Sequence, residues 1–586
     1  MKKTISVILA VIMLVSCIPF AVSASEESVY TPAYDKDTPV VLLHGIGQND
    51  TYVYNEDGTI MKDKDGGDAT GWPLETDIEA ALKPVIPKLI LSIFTRKDSG
   101  LKDAMREGGS KLLWAIEKDN EGNYKYNVRP MHYRCPMSEM PDNVKNMYYN
   151  RMPMQACKDI IGEDMMYVFG YDSVGDIDAT TKELHKFITE TVLPQTGATK
   201  VNLCPISMGG SVAVSYLDMF PEDHELIKKI VYIVPAIDGS DIVGDLYTAN
   251  LSTQDSKTLY SELLPALLGE GYLADLIGIA LRFLLPEKVL KEALVGLSEG
   301  LVEGALRTST QLWATCPDKY YPQAREKWLS QPEYKTIADK VDRFMQARAN
   351  FESNTQKLIA NGTQIYDIVC YGLELFQLSK DYKTVNSDGI LQCTSTSMGA
   401  KFADLGTTLG EGYKAVGTYC SDASHNHLSP DGAVDPTAGL IPCTTWYFKN
   451  QSHMDLQYNN VAINLAIELM TDDNMIDVYS NPAYPQYNGS RYTRTVDNRI
   501  RDYRRMDKSG LSAENIAEIE AAIALCEKVK AETIIVEKDW DEASKALETA
   551  LINAGIIKVE SKSIFETGLD ILMSAGNDAL SRVFDK

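Results

Sequence analysis

An α/β fold with a mostly parallel sheet is predicted by short apolar runs that alternate with helical patterns along the chain. The runs are rich in β-branched or aromatic residues, as buried strands are. They lie within residues 38–48, 166–172, 199–207, 229–236, 364–372 and 443–448. Strands that alternate with helices favour parallel pairing, with helices covering both faces of the sheet.

Two segments fall outside this alternation. Residues 261–307 are rich in Leu at helical spacing, and one face carries Leu273, Leu276, Ile277, Ala280, Leu281, Leu284, Leu290, Leu294, Leu297 and Leu301. From about residue 511, two apolar stripes predict a small antiparallel helical bundle: Ile516, Ile519 and Ile523, then Trp540, Ala543, Leu547, Ala550 and Leu551. The predicted layout is a main domain over 25–505, with an insertion over about 241–345, and a helical module over 506–586.

The first residues have the pattern of a secretory signal. Lys2 and Lys3 precede an apolar run that ends at Val22, and small residues up to Ala24 form a cleavage site. A lipoprotein cleavage box ending at Cys17 is the alternative, but the apolar run continues past it. We therefore expect residues 1–24 to be removed and the protein to be exported, since no other long uncharged apolar run follows.

The net charge disfavours some classes of partner, and the cysteine spacing disfavours a structural zinc site. The net charge of −25 disfavours nucleic acid and anionic membrane surfaces. The cysteines do not show repeated C-x-x-C spacing, so the sequence predicts no structural zinc site. Free thiols, or one disulfide among Cys393, Cys420 and Cys443, are the two interpretations left open. In the Asp/Gly-rich segment 55–71 a hairpin is favoured over a calcium loop built from Asp63, Asp65 and Asp68.

Ser207 is the candidate nucleophile. It lies in "CPISMGGSVA", directly after the third predicted strand and before a predicted helix, which is the context of a nucleophile elbow. Such a turn strains the serine backbone and lifts the hydroxyl out of the sheet. Gly209 and Gly210 would let the helix pass close to the strand. Pro205 replaces the usual first Gly, and its fixed φ is compatible with an extended residue.

The candidate oxyanion hole and base follow from chain order. His44 and Gly45 end the first strand, so the backbone amides of Ile46 and Met208 are the expected oxyanion donors. His44 itself is expected to bond loop backbone. The order serine, acid, histidine places the base late in the chain. His453, after the last predicted strand, is favoured over His425 and His427.

Three aspartates compete for the role of the acid. Asp388 follows the fifth predicted strand, where the acid is expected. Asp431 and Asp435, in "SPDGAVDP", are the alternatives. Any of them could serve only as a turn residue.

The motifs "VVLLHGIGQ", "YVFGYD", "VNLCPISMGGSVAVSYL", "SDGIL" and "SHMDL", with "TSTQLWATCPDKYY" over 308–321, resemble a secreted α/β-hydrolase of the lipase type. The layout is similar to that of the lecithin:cholesterol acyltransferase-like lipases. Ser173 and Val174 stand where many relatives have Trp-Arg. The resemblance implies that the Leu-rich insertion is a lid over an acyl pocket, opening at a lipid interface; packed core is the alternative. The tail resembles FIVAR-type helical modules.

From these residues we expect a secreted serine esterase that cleaves lipid or other apolar acyl esters without a metal or organic cofactor. Ser207 would attack the ester, His453 would accept its proton, and Asp388 would orient the imidazole. Two alternatives stay open. The acyl group could pass to an alcohol other than water, or the fold could be an inactive scaffold whose helical tail binds a cell-surface polymer.

Overall fold

A computed structural model of the chain describes residues 30–63, 66–74, 76–251, 259, 281–417, 419–420, 422, 424–489, 494–506, 508, 510–531 and 537–557. The predicted signal, residues 1–24, lies outside them, as do 252–258 and 260–280 of the insertion, Asp65, and residues 558–586 of the tail.

The strands in the described residues are β1 (Val40–Leu43), β2 (Thr51–Tyr54), β3 (Thr70–Trp72), β4 (Asn127–Pro130), β5 (Met166–Phe169), β6 (Val201–Pro205), β7 (Ile227–Ile233), β8 (Gln364–Tyr371), β9 (Lys401–Phe402), β10 (Val434–Asp435), β11 (Thr445–Lys449) and β12 (Tyr487–Gly489).

The six predicted strands form a central parallel sheet, which confirms the predicted fold class. Its order is β12-β11-β8-β7-β6-β1-β5, and every pair is parallel. β12 is the added edge strand; its three residues form no apolar run that would predict it. The chain moves from β1 outward to β5, returns to β6 beside β1, and then builds the sheet in the opposite direction. In open parallel sheets, the crevice beyond the carboxyl ends of two such strands is where ligands bind.

Helices cover both faces of this sheet. Alternate residues of β1 point into two separate cores, with Val41 and Leu43 in one and Val40 and Leu42 in the other. Burial on both faces explains why these strands are continuously apolar. The helices in the described residues are α1 (Ile78–Thr95), α2 (Leu101–Leu112), α3 (Asp142–Arg151), α4 (Gln155–Ile161), α5 (Ile177–Lys186), α6 (Leu193–Thr196), α7 (Gly209–Met219), α8 (Asp241–Thr248), α9 (Glu287–Gly304), α10 (Thr310–Trp313), α11 (Tyr321–Leu329), α12 (Lys335–Ala349), α13 (Phe351–Ala360), α14 (Cys393–Thr396), α15 (Asn460–Thr471), α16 (Arg494–Arg505), α17 (Ala513–Ala531) and α18 (Glu537–Asn553).

Helix α9, within the Leu-rich insertion, is packed against other helices. Leu290 and Leu294 of α9 are buried in one cluster with Val85 of α1 and Leu101 of α2. The backbones of α9 and α2 also meet closely, because a Cβ on Gly300 would lie 2.1 Å from the carbonyl oxygen of Arg106. The α9 part of the predicted stripe is therefore core, whereas Leu284, which precedes α9, is exposed.

The Asp/Gly-rich segment has hairpin pairing, as the favoured interpretation predicts. Antiparallel bridges join Tyr54 to Ile60 and Lys62 to Asp68. The carboxylates of the calcium-loop alternative have other partners: Asp68 contacts the ammonium of Lys62 at 2.5 Å, and Asp63 accepts the N–H of Gly67 at 2.8 Å. The segment lies beside a small antiparallel sheet of order β3-β2-β4, which the apolar pattern does not predict.

The C-terminal helices have a core of their own. Ile519, Ile523, Ala543 and Leu547 are buried together, as the helical stripes predict, and residues of α16, among them Tyr503, join the same cluster. The helices of this cluster therefore begin before residue 506, the predicted start of the helical module. Among all helices in the ranges given above, none is both long and apolar enough to cross a membrane.

A buried aspartate in the sheet predicts a specific dependence of stability on pH. Asp367 of β8 is fully buried, and burial raises the pKa of its carboxyl well above the ordinary value. The folded state therefore holds the proton more tightly than the unfolded state, and stability falls as pH rises above the unfolded pKa, about 4. Asp367→Asn removes this linkage, so at neutral pH we expect a gain in unfolding free energy of about 1–3 kcal/mol that disappears near pH 4.

Urea denaturation of both proteins at about pH 4 and about pH 7 measures this difference. Asp159→Asn, at an exposed position of α4, is the control and should show no such trend. A difference between Asp367→Asn and the parent that does not change with pH would contradict the prediction.

Candidate active site

The candidate site lies beyond the carboxyl ends of β1 and β6, at the point where the chain reverses its direction across the sheet. Gly45 follows β1 and Ser207 follows β6. The two loops touch, because a Cβ on Gly45 would lie only 2.9 Å from Cβ of Ser207. A larger residue at 45 would displace the serine.

Ser207 occupies a strained turn between β6 and α7. Its φ is +52°, in the left-handed region that β-carbon sterics disfavour. The strand ladder continues around Pro205, since the N–H of Ile206 donates to Leu43 and the N–H of Ser207 to Ile233, both at 2.9 Å. The turn is compact because of Gly209, where a Cβ would come within 2.4 Å of the carbonyl oxygen of Leu43. Strain at a nucleophile is the geometry expected of a nucleophile elbow.

His453 lies within hydrogen-bonding distance of Ser207. It begins a short 3₁₀ helix (His453–Tyr458) shortly after β11. The Nε2 atom is 2.9 Å from Oγ of Ser207. The backbone N–H of His453 also donates to the carbonyl oxygen of Asp388 at 2.8 Å, which ties the two loops together.

Asp388 completes a hydrogen-bonded chain with these two residues. Its Oδ2 accepts from Nδ1 of His453 at 2.7 Å, and its Oδ1 accepts the backbone N–H groups of Ile390 and Leu391 at 3.0 and 2.7 Å. The carboxylate is fully buried. Because Nδ1 must donate to this carboxylate, the lone pair of neutral His453 is on Nε2, where it can accept the Ser207 proton.

The loop after β1 presents the predicted oxyanion donors. Within the part of the chain that the structure describes, the N–H groups of Ile46 and Met208 donate to no protein acceptor. The loop is held by Gln48, whose Oε1 accepts the N–H of Gly45 at 2.6 Å and whose Nε2 donates to the carbonyl oxygen of Arg151 at 3.0 Å. Sequence reasoning missed Gln48 as a positioning residue; its place three residues after Gly45 was the available signal.

His44 lies beneath this loop and bonds backbone, as predicted. Its Nδ1 donates to the carbonyl oxygen of Gly45 at 2.7 Å, and its Nε2 accepts the N–H of Tyr171 at 3.1 Å. The two rings stack with centroids 3.9 Å apart. Burial lowers the pKa of His44 to about 4, so the ring is neutral at physiological pH and supports the loop without charge.

The competing residues are bonded elsewhere. Asp431 accepts from Nζ of Lys449 at 2.8 Å and from the hydroxyl of Tyr371 at 3.1 Å. Asp435 caps a turn at Thr437 and accepts from the hydroxyl of Tyr413 at 2.8 Å. His425 and His427 lie together near Cys420. Of the three aspartates and three late histidines, the structure brings only Asp388 and His453 to Ser207.

A cavity of about 390 Å³ opens beside the serine. It lies between the β1 loop, the segment after α3 and the helix that begins at His453. Its polar lining includes Gln48 and Arg151, but most of it is apolar, including Met152, Met154, Ile206, Val234, Leu456 and Ile463. Among the described residues, none from the Leu-rich insertion lines it.

Comparisons with known proteins give distant structural similarity and no sequence family. No protein-family model matches the chain, and no curated protein matches it. Among solved structures, the phospholipase PlaB from Legionella pneumophila is 14% identical, with a TM-score of 0.20, over 45% of this chain and 43% of that one. The chain thus spans less than half the length of that protein.

Two further solved structures are similar to parts of the chain. The Tle4-Tli4 complex is 13% identical with a TM-score of 0.26, over 74% of this chain and 97% of the other. The esterase EaEST from Exiguobacterium antarcticum is 16% identical with a TM-score of 0.13, over 34% and 87%. The parallel sheet, the strained turn between strand and helix, and the chain order of Ser207, Asp388 and His453 are those of an α/β-hydrolase fold.

Proposed function

We propose that the protein is a serine hydrolase that cleaves carboxylic esters through an acyl-enzyme. The observation that carries this proposal is the unbroken chain of hydrogen bonds from Asp388 through His453 to the strained Ser207. A serine hydroxyl is a weak nucleophile unless a positioned base removes its proton. The buried carboxylate supports that role, since it orients the imidazole and stabilises the imidazolium that forms.

In the proposed mechanism, Ser207 Oγ attacks the ester carbonyl while Nε2 of His453 accepts its proton. The oxyanion of the tetrahedral intermediate accepts hydrogen bonds from the N–H groups of Ile46 and Met208. Each such donor supplies about 3 kcal/mol of transition-state stabilisation. His453 then gives the proton to the leaving alcohol. Water, deprotonated by His453, attacks the acyl-enzyme; the acid leaves, and His453 returns the proton to Ser207 Oγ.

The proposed substrates are esters with an apolar acyl group, lipids included. The apolar lining of the cavity beside Ser207 supports this, because each methylene of an acyl chain that is buried there contributes about 0.8 kcal/mol to binding. The likeness to lecithin:cholesterol acyltransferase-like lipases, drawn from the sequence motifs, points the same way and stays a prediction.

An exposed apolar face on α1 supports contact with a lipid interface. Five of its apolar side chains are spaced four residues apart, and Leu91 lies beside them. Each of the six exposes between 44% and 82% of its surface: Ile78, Leu82, Ile86, Ile90, Leu91 and Phe94. The opposite side of α1 is apolar too and packs into the protein, so the exposed side is a separate apolar surface that a lipid interface can cover. On the chain, α1 begins soon after Trp72, which lines the cavity. We therefore assign the interface role to α1, and the lid role of the insertion stays a prediction.

The proposed place of action is outside the cytoplasm. This rests on the lysine pair, the apolar run and the small-residue cleavage site within residues 1–24. Binding of a cell-surface polymer by the C-terminal helices stays a prediction.

Phosphonylation and a series of acyl chain lengths test the proposal. A fluorophosphonate probe should label the native chain at Ser207, and Ser207→Ala and heat-unfolded protein should remain unlabelled. With p-nitrophenyl esters, we expect kcat/KM to rise at least about tenfold from acetate to octanoate, as longer chains fill the cavity. Native protein that fails to label would overturn the enzyme proposal, and a strict preference for acetate would overturn only the apolar-substrate part.

A further inference from the structure

Four potential metal ligands, which lie more than two hundred residues after Ser207 in the sequence, meet in the structure. Cys420, His425, His427 and Cys443 each offer one ligand atom, and all four atoms lie within 4.8 Å of one another. Sγ of Cys420 is 3.4 Å from Sγ of Cys443, 3.3 Å from Nε2 of His427 and 3.7 Å from Nδ1 of His425. Sγ of Cys443 is 3.6 Å from the same Nε2.

These four of the six ligand–ligand separations match a tetrahedral metal site. With metal–sulfur bonds of about 2.3 Å and metal–nitrogen bonds of about 2.0–2.1 Å, tetrahedral geometry places the ligand atoms about 3.3–3.8 Å apart. A disulfide would require the sulfurs to be about 2.05 Å apart, and both cysteines are free thiols. The two-thiolate, two-imidazole set is typical of zinc.

The hydrogen bonds around His427 leave its metal-facing nitrogen with a free lone pair. Nδ1 of His427 is 2.9 Å from Oε1 of Gln486. The orientation of that amide is determined, because its Nε2 donates to the carbonyl oxygens of Pro442 and Thr445 at 2.8 and 3.0 Å. Oε1 can only accept, so Nδ1 carries the proton and Nε2 carries the lone pair. An outer partner that selects the ligating nitrogen is the usual arrangement around a metal-bound histidine.

His425 has a similar arrangement at the outer side of the cluster. Its Nε2 lies 3.5 Å from the Asp422 carboxylate, which leaves Nδ1 directed at Cys420. The rings of His425 and Tyr479 lie against each other with centroids 4.2 Å apart, so the imidazole is held from one side. His427 is almost fully buried. Both histidines are thus positioned by groups that are not themselves ligands.

We propose that Cys420, His425, His427 and Cys443 bind one zinc ion in a closed, tetrahedral structural site. Four protein ligands fill the coordination sphere, which leaves no position for a substrate or a reactive water. Two thiolates neutralise the charge of the ion, and their two protons are released on binding. The cysteine spacing predicts no structural zinc site, and the proposed site would revise that prediction. It would also give His425 and His427, the alternatives to His453, a role other than that of the base.

The site would connect the segment that carries Cys420, His425 and His427 to the strand that leads to His453. Cys443 lies directly before β11, and β11 ends shortly before His453. The same place receives β12, because the hydroxyl of Tyr487 donates to the carbonyl oxygen of His427 and Gln486 bonds both sides of Cys443. A metal ion here would cross-link two separate segments, and the residues around β12 are hydrogen-bonded to both of them.

Metal content and cobalt spectroscopy test the proposal on the full-length chain. Purified with zinc in the medium, the protein should contain about one zinc ion per chain by elemental analysis. Replacing the metal with Co²⁺ should give the visible d–d bands of a tetrahedral site and sulfur-to-cobalt charge transfer. Cys443→Ser and His427→Gln should lose most of the bound zinc, whereas Cys135→Ser, at another partly exposed free thiol, should retain it. A strong chelator should lower the Tm of the parent but not that of Cys443→Ser.

Each result decides the proposal. If Cys443→Ser does not fold, His425→Gln, at the more exposed ligand, and the cobalt spectrum of the parent provide the test. Zinc-supplied protein without stoichiometric metal, a Co²⁺ complex without tetrahedral bands, or a disulfide between Cys420 and Cys443 found by mass spectrometry would overturn it.

Discussion

Replacing Ser207 with alanine is expected to lower kcat/KM for ester hydrolysis by about 10⁴- to 10⁶-fold, with little change in stability. The hydroxyl is the atom that His453 reaches at 2.9 Å, and no other group in the described cavity lining could take over the attack. Removal of Oγ leaves the oxyanion donors and the apolar lining of the cavity in place. Residual activity would therefore come from binding and oxyanion stabilisation alone. Steady-state kinetics with a p-nitrophenyl ester measures the loss.

Ser211 provides a matched control for this variant. It lies on α7, it is fully buried, and its hydroxyl donates to the carbonyl oxygen of Ala236 at 2.7 Å without contacting His453. Ser211→Ala should keep near-parental kinetics in spite of a small loss of stability. An active Ser207→Ala enzyme would mean that ester cleavage takes place elsewhere on the chain.

The second large effect is expected from Asp388→Asn, which should lower kcat by about 10⁴-fold. Two backbone N–H groups donate to Oδ1, so the amide of the variant must keep its oxygen there. Its NH₂ group then faces Nδ1 of His453, which has to accept. The imidazole proton moves to Nε2, and the base no longer has a lone pair for Ser207. The change reverses one hydrogen bond and leaves the geometry intact.

Asp431→Asn is the control for this substitution. Like Asp388, Asp431 lies in the segment between β8 and β11, but its carboxylate accepts hydrogen bonds from Lys449 and Tyr371. The variant should lose some stability and keep the parental kcat. Equal rate losses in both variants would show that the acid cannot be assigned from the observed contacts, and a full rate for Asp388→Asn would reject Asp388 as the acid.

The serine and the histidine were predictable because their positions along the chain are tied to local structure. A strand, a sharp turn and a glycine-rich helix start can all be recognised around Ser207 without any distant partner. The order serine, acid, histidine then leaves few late histidines to choose from. The local pattern of Asp388, an Asp-Gly turn, is shared by Asp431, so proximity to His453 was needed to separate them.

Other features of the structure could not be recognised from local sequence patterns. The proposed zinc ligands are spaced irregularly in the sequence, and they meet only because the segment before β11 and the segment that carries Cys420, His425 and His427 converge. β12 is too short and polar to stand out as an apolar run. The Leu-rich insertion shows the reverse problem: its stripe is clear in the sequence, but the stripe alone does not say whether it covers a pocket or packs on α1 and α2.

The sequence by itself determined the parallel sheet, the strained turn at Ser207 and the late position of His453, because each depends on periodicity, on backbone sterics or on chain order. Tertiary structure alone decided which aspartate reaches His453, which side chains line the cavity, and that two cysteines and two histidines meet. The physical reason is that contacts between residues far apart in the chain depend on how the sheet brings strand ends together, and short stretches of sequence do not encode that distance.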